Sequence, residues 1–351
     1  MTSIDRNTSA LVTGATGYVA GRLVERLLQD GLTVHAAVRD PDNTEKRAHL
    51  DAVAEQNPGT IRYFKSDLLE PGSYAEAMAG CELVFHTASP FTMAVRDPQR
   101  DLIDPAVKGT RNVLETASQT STVKRVVVTS SVAAIYGDNQ DVRNAPNGAL
   151  TEAQWNESSS LSHNPYAYSK TLAEKEAWEL AEKQSQWDLV TINPSLVIGP
   201  GLNPKGTSES FNLVRQLGDG TLKSGAPRWG IGAVDVRDVA EAHFQAGFRP
   251  QAKWRYIVSG HNTDMFELAQ TLQPTFGDRY PLPTRALPKW LLWLVGPMVD
   301  KSMTRQTIAR NINVPFRADN TRSREELGIA YRPLEASMTE FFQQLVDNGA
   351  V

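Results

Sequence analysis

The chain has 351 residues, with 36 basic against 40 acidic side chains and a formal charge of −4, so no basic field exists to hold nucleic acid or an anionic membrane. With 40% apolar and 22% charged residues, the composition is that of a globular chain able to bury a large core, which excludes a disordered or fibrous protein. One cysteine, Cys81, and six histidines without ligand spacing exclude an internal disulfide and a multi-thiolate zinc centre, and fit a reducing, cytoplasmic setting with no resident metal.

Short β-branched runs alternate with helical patterns through roughly the first two hundred residues, the rhythm of βαβ units around a parallel sheet. Strands are predicted at Ala10–Thr13, Thr33–Arg39, Ile61–Ser66, Cys81–His86, Lys124–Thr129 and Leu189–Asn193, with helices at Arg22–Gln29, Lys46–Gln56 and Val107–Ser118. Six such strands imply an α/β fold, a Rossmann-type doubly wound parallel sheet with a smaller, mostly C-terminal lobe. After Gly199-Pro200-Gly201 the pattern turns irregular, and Tyr256–Ser259 reads as one returning strand. Residues 1–198 with about 229–260 are therefore expected to form the nucleotide-binding half, and about 199–228 with 261–351 the substrate lobe. No apolar stretch follows a basic start at the N-terminus, so no secretory signal is expected. The most apolar run, Leu291–Val299, falls far short of the ~20 residues a bilayer span needs. It reads either as an amphipathic lid helix over the substrate or as a plain core helix.

The first strand meets its helix at Val12-Thr13-Gly14-Ala15-Thr16-Gly17-Tyr18-Val19-Ala20. Gly14 permits a tight turn, Gly17 lets the backbone approach a pyrophosphate, and the free N–H groups at the positive end of the helix dipole hold the anion. Gly14, Thr16, Gly17, Tyr18 and Val19 are thus expected to contact a dinucleotide. About twenty residues on, the second strand ends Val38-Arg39-Asp40. An acidic residue there selects NAD and an arginine accommodates the 2′-phosphate of NADP. Arg39, with Lys46 seven residues later, favours NADP(H), while an inward-turned Asp40 would favour NAD. Asp67, after the third strand, is placed to accept from the adenine amino group with Leu68 against the same ring, or else to cap the following turn.

Thr129-Ser130-Ser131 ends the fifth strand and Tyr166-Ala167-Tyr168-Ser169-Lys170 opens the next helix. With nine tyrosines and twelve lysines in the chain, a Y-x-x-x-K pair is expected by chance about 0.3 times, so position supplies the specificity. At i and i+4 both side chains leave one helix face, near the carboxyl ends of the strands where such sheets bind ligands. Hydride transfer to a carbonyl builds negative charge on oxygen, and a placed acid must supply a proton. Tyr166 is the candidate acid, its phenolate favoured by the positive charge of Lys170 and of an oxidised nicotinamide. Lys170 also reaches the nicotinamide ribose, so both residues count as cofactor contacts as well. Ser131 would polarise the carbonyl oxygen, with Ser130 the weaker candidate.

Eight stretches together carry a resemblance. They are LVTGATGYVAGRLV (Leu11–Val24), AVRDP (Ala37–Pro41), LVFHTASP (Leu83–Pro90), DPAVKGTRNVLE (Asp104–Glu115), VVVTSSVAAIYG (Val126–Gly137), YAYSKTLAEKEAWE (Tyr166–Glu179), INPSLVIGPGL (Ile192–Leu202) and VDVRDVAEAH (Val234–His243). In this order they resemble an extended short-chain dehydrogenase/reductase, of the branch of dihydroflavonol reductases, cinnamoyl-CoA reductases and microbial aldehyde or carbonyl reductases. The resemblance implies the trio Ser131, Tyr166 and Lys170, a nicotinamide ribose lined by Thr87, Ala88 and Ser89, and a ring bracketed by Pro194 and Val197. It further implies an NADP(H)-dependent reductase of hydrophobic aldehydes or ketones, with 3β-hydroxysteroid-type dehydrogenases, sugar-nucleotide epimerases and, more remotely, NADP-sensing regulators as alternatives. Where cinnamoyl-CoA reductases carry NWYCYGK this chain has Asn164-Pro165-Tyr166-Ala167-Tyr168-Ser169-Lys170, which speaks against a thioester substrate. Where epimerases place a catalytic asparagine it has Lys108, as the reductase branch does. Candidate pocket walls are Phe211, Trp229, Trp290 and Trp293, and helices Val107–Ser118 and Tyr166–Lys183 could form the four-helix homodimer interface common among such enzymes.

Overall fold

Strands that bury both faces must divide their apolar side chains by a period of two, and this chain does so. In the computed structural model, which describes residues 3–89, 95–206, 208–299 and 302–351, Ala10, Val12, Leu83, Phe85 and Val127 pack into one core, and Leu11, Val84, Val126 and Val128 into another on the opposite face. Pro90, at the end of the LVFHTASP stretch, lies outside the described residues. The first half runs β1 (Ser9–Thr13), α1 (Tyr18–Gln29), β2 (Thr33–Val38), α2 (Thr44–Glu55), β3 (Thr60–Lys65), α3 (Ala75–Met78), β4 (Cys81–His86), α4 (Asp104–Gln119), β5 (Arg125–Thr129), α5 (Pro165–Glu182) and β6 (Asp188–Pro194). All six predicted strands are present, shifted by a residue or two at their ends. Helix α1 begins four residues earlier than its periodicity predicts, because Gly17 takes the extended N-cap conformation directly after the turn.

The second half runs β7 (Leu196–Ile198), α6 (Glu209–Gly218), β8 (Ala226–Pro227), β9 (Gly230–Asp235), α7 (Val236–Phe248), β10 (Trp254–Val258), β11 (His261–Asp264), α8 (Met265–Phe276), β12 (Ala286–Leu287), α9 (Lys289–Val299), α10 (Arg305–Asn311), α11 (Thr321–Glu325) and α12 (Leu334–Asp347). The central sheet is parallel throughout, in the order β3-β2-β1-β4-β5-β6-β10. The returning strand is therefore β10, paired with β6. The stretch 229–260 is divided between layers. Its first strand, β9, joins β7 and β11 in a separate three-stranded sheet, while α7 packs on α1 and β10 completes the main sheet. A third core, with Ile198, Phe211, Leu268, Phe276, Phe341 and Phe342, fills the second lobe. Among the described residues no helix is long and apolar enough to cross a membrane.

Candidate active site

Strand order reverses between β1 and β4, and the carboxyl ends of these two strands frame the crevice in which doubly wound sheets hold ligands. Gly14 sits there at φ +63°, and a Cβ on it would lie 3.0 Å from the Cα of Ala88, so a side chain is excluded by both conformation and space. Gly17 caps α1 without a side chain, leaving the first-turn N–H groups of a twelve-residue helix turned to the crevice. Thr16 and Val19 are half-buried beside it, Val19 against the main core. Tyr18 is different: its hydroxyl donates to the carbonyl of Gly199 and its ring lies between Phe211 and Phe341. Its side chain thus joins the turn to the second lobe and leaves only its backbone for a phosphate.

The neighbouring loop is fastened by a residue the sequence did not single out. Thr13 Oγ1 accepts the N–H groups of Thr87 (3.1 Å) and Ala88 (3.0 Å) and lies 3.0 Å from His86 Nδ1, while Thr87 Oγ1 donates to the carbonyl of Thr13. With both acceptor sites of the Thr13 hydroxyl taken, its hydrogen must go to Nδ1, which assigns the proton of a neutral ring to Nε2. Burial, and then the charge of Lys170, push His86 down to about 3, so the ring stays neutral beside the lysine.

Lys170 Nζ donates to Ser89 Oγ at 2.8 Å and lies 5.8 Å from the ring centre of Tyr166. Tyr166 is 52% exposed at the first turn of α5, open to a substrate. That turn is set by Asn164, which at φ 52° accepts from the N–H of Ala167 at 3.3 Å and donates to the carbonyl of Gly137 at 2.9 Å. Ser131 Oγ accepts from the N–H of Ala133 at 3.1 Å, a cap that uses a lone pair and leaves the hydroxyl hydrogen to donate. The short turn Val132–Ala134 after Ser131 packs on α5. Ser130 is instead buried, donating to Glu174. Thr129, one residue earlier, bonds His243 Nε2 at 2.7 Å, and burial holds that imidazole down at about 4. Pro194 ends β6 and is buried, while Val197 is half-buried in β7.

Arg39 and Lys46 are exposed and make no ion pair among the described residues. Asp40 Oδ1 accepts from the N–H of Asp42 at 3.1 Å, so its carboxylate is engaged in its own turn. Arg47, next to Lys46 and missed in the sequence, donates to the carbonyl of Pro41 and lies over Tyr63. Asp67 is exposed, with Oδ1 accepting from the N–H of Leu69 at 2.8 Å, and Leu68 packs on Gly109. Asn112 of α4 braces this loop through the carbonyls of Leu68 and Glu70 and the N–H of Gly72. Lys108 turns outward in an ion pair with Asp104 at 2.9 Å.

Of the four candidate pocket walls, Phe211 is corrected: it is 4% exposed within the second-lobe core. Trp229 is half-buried, bridging Ile312 and Val314. Trp290 and Trp293 are 68% and 44% exposed. Only Leu292 and Gly296 of α9 are buried, so the core reading of this helix fails; Leu292 meets Ile308 and Ile312, Arg305 lies over the Trp293 ring, and Trp290, Leu294, Met298 and Val299 stay exposed.

Residues 10–257 match the NAD dependent epimerase/dehydratase family. The chain belongs to that family. It is 35% identical over 356 residues to cinnamoyl-CoA reductase CAD2 of Medicago truncatula, covering 98% of each chain. It is 37% identical over 288 residues to an anthocyanidin reductase ((2S)-flavan-3-ol-forming) of Vitis vinifera, covering 79% of this chain and 83% of that one. Among solved structures it overlays on the yeast methylglyoxal/isovaleraldehyde reductase Gre2 complexed with NADPH, with a TM-score of 0.77 and 26% identity over 98% of this chain and 100% of that chain. This family member is an extended short-chain reductase, and its residues fit a nicotinamide dinucleotide: the glycine cradle excludes a Cβ where the backbone must close on a phosphate, and Arg39 after β2 and Lys46 in the first turn of α2 make no ion pair among the described residues.

Proposed function

We propose that this reductase converts fairly hydrophobic aldehydes or ketones to alcohols with NADPH, through Ser131, Tyr166 and Lys170. The observation that carries the reading is the placement of Lys170 between Ser89 and Tyr166, on a helix whose first turn leaves the phenol open. NADPH, when bound, would supply the hydride that the carbonyl carbon takes up. Tyr166 gives its proton to the oxygen as charge builds there, and Ser131 donates a second hydrogen bond to the same oxygen. Lys170 holds the ribose and stabilises the phenolate left behind, which is reprotonated from solvent. Gly14, Thr16, Gly17, the backbone of Tyr18, and Val19 would take the pyrophosphate, Arg39 and Lys46 the 2′-phosphate, Asp67 and Leu68 the adenine, Thr87, Ala88 and Ser89 the ribose, and Pro194 and Val197 the nicotinamide.

The test is NADPH oxidation with aliphatic and aromatic aldehydes, ketones, cinnamoyl-CoA and an anthocyanidin. Turnover of simple carbonyls is expected, and turnover of the thioester alone would overturn the substrate class. Tyr166→Phe should retain NADPH binding and lose ~100-fold or more in kcat; retention of a tenth or more of the rate would move the acid elsewhere.

A further inference from the structure

Helix α5 carries a third polar residue in register with the candidate pair. Tyr166, Lys170 and Glu174 follow at intervals of four, a single stripe along the helix. Glu174 is 1% exposed, and its carboxylate accepts from Arg255 Nε at 2.6 Å, Asn193 Nδ2 at 2.7 Å, Thr191 Oγ1 at 3.1 Å, Arg255 Nη2 and Trp178 Nε1 at 3.4 Å, and the Ser130 hydroxyl. The side chains of both ion-pair partners are fully buried. Arg255 is further held by the carbonyls of Glu152 (2.7 Å) and Gln154 (2.6 Å) and lies 4.0 Å from the ring of Trp155.

A buried ion pair of this kind is poor evidence of stability, since a packed apolar pair does as well. What an apolar pair cannot do is gather donors from four segments. Glu174 ties α5 to the ends of β5 and β6 and to β10, and the Asn193 amide that bonds it also donates to the backbone carbonyl of Ser131 at 3.0 Å. The chain of contacts Glu174–Asn193–Ser131 therefore fixes the strand end that bears Ser131 against the helix that bears Tyr166. Arg255 has a second effect. A lysine and a glutamate four apart on a helix ordinarily pair, which would draw the Lys170 ammonium away from the phenol and cancel its charge. With the carboxylate saturated by Arg255, Lys170 reaches Ser89 instead.

We propose that Glu174, Asn193 and Arg255 are positioning residues of this reductase, setting Ser131 and Lys170 in place through the Glu174–Asn193–Ser131 contact. The inference rests on the proposed reductase reading. Asn193→Ala leaves the Glu174–Arg255 ion pair and removes the bridge to Ser131 together with the Asn193 contacts to Glu174 and Thr191, so it is the primary variant; Glu174→Gln and Glu174→Asp test whether the charge is required. NADPH binding is measured by fluorescence without carbonyl, kcat at saturating NADPH, and Tm by melting. Asn193→Ala should lose on the order of tenfold to a hundredfold in kcat with NADPH affinity nearly unchanged, and Glu174→Asp should keep more turnover than Glu174→Gln. A purely structural role predicts lowered Tm with wild-type kcat in the folded fraction, and that result overturns the proposal alone. A wild type without turnover on any carbonyl overturns the reductase reading and this inference together.

Discussion

Asp40 and Arg39 are neighbours with opposite consequences for the cofactor, and geometry separates them. The Asp40 carboxylate closes a turn on Asp42, whereas Arg39, just after β2, and Lys46, in the first turn of α2, make no ion pair among the described residues. The 2′-phosphate is the only group that differs between NADPH and NADH. Arg39→Ala should therefore raise KM for NADPH and leave NADH kinetics nearly unchanged. A hydrogen bond to a charged group contributes about 1.5–3 kcal/mol, so the expected loss in kcat/KM for NADPH is roughly ten- to a hundredfold. Lys46→Ala should lose less, because only the guanidinium can bond the phosphate bidentately. Asp40→Ala should change little; steady-state kinetics with both cofactors decide it, and a wild-type preference for NADH would reverse the assignment. At this scale the sequence exposed residues tied to short motifs, such as Gly14 and the Tyr166–Lys170 pair. It concealed Thr13, Asn112 and Glu174, whose roles depend on partners on other elements 17 to 81 positions away.

Whole elements were legible where periodicity was strong and illegible where packing decides. The alternation of β-branched runs with helical patterns located β1 to β6, and the structure keeps all six strands. The small sheet β7-β9-β11 was not legible, since a three-residue strand carries too little pattern. Helix α9 shows the same limit in another form: its apolar residues run around the whole helix, and the side that is covered is set by tertiary contacts with Ile308, Ile312 and Met303. Under the proposed reading its open face is a candidate wall for the substrate, in contrast to the buried Phe211. Trp293→Ala should thus redistribute kcat/KM among carbonyls of different size with little change in Tm. Phe211→Ala should lower Tm, with a cost of about 3–5 kcal/mol for an emptied aromatic site, and reduce all substrates alike. A kinetic panel with thermal melts distinguishes the two, and equal behaviour of both variants would remove α9 from the pocket.

The molecule as a whole holds four of its six histidines in surroundings that disfavour their protonated forms. Desolvation lowers His35 and His49, and pushes His86 down to about 3 and His243 down to about 4. In the unfolded chain these rings titrate near ~6.5, so below that pH the unfolded state binds protons that the native state refuses. Stability contributed by the neutral rings is thus complete above the unfolded value and is lost as pH falls from about 6.5 toward 4. Burial raises Glu152 and Asp238, which acts in the opposite direction, because a native carboxyl that keeps its proton gains as acid is added; this offset begins above the ordinary carboxylate range, inside the histidine window. Two fully buried rings, His86 and His243, set the scale. One proton per ring at ~1.4 kcal/mol per pH unit sets a ceiling of roughly 3 kcal/mol per unit, which the raised carboxyls reduce. Denaturant unfolding at pH 7, 6 and 5 should therefore show a steepening loss of stability toward acid, with the steepest part between 6 and 5. A curve flat across that interval, or rising toward acid, would mean that the imidazoles at Thr13 and Thr129 open to water and take up their protons in the folded protein.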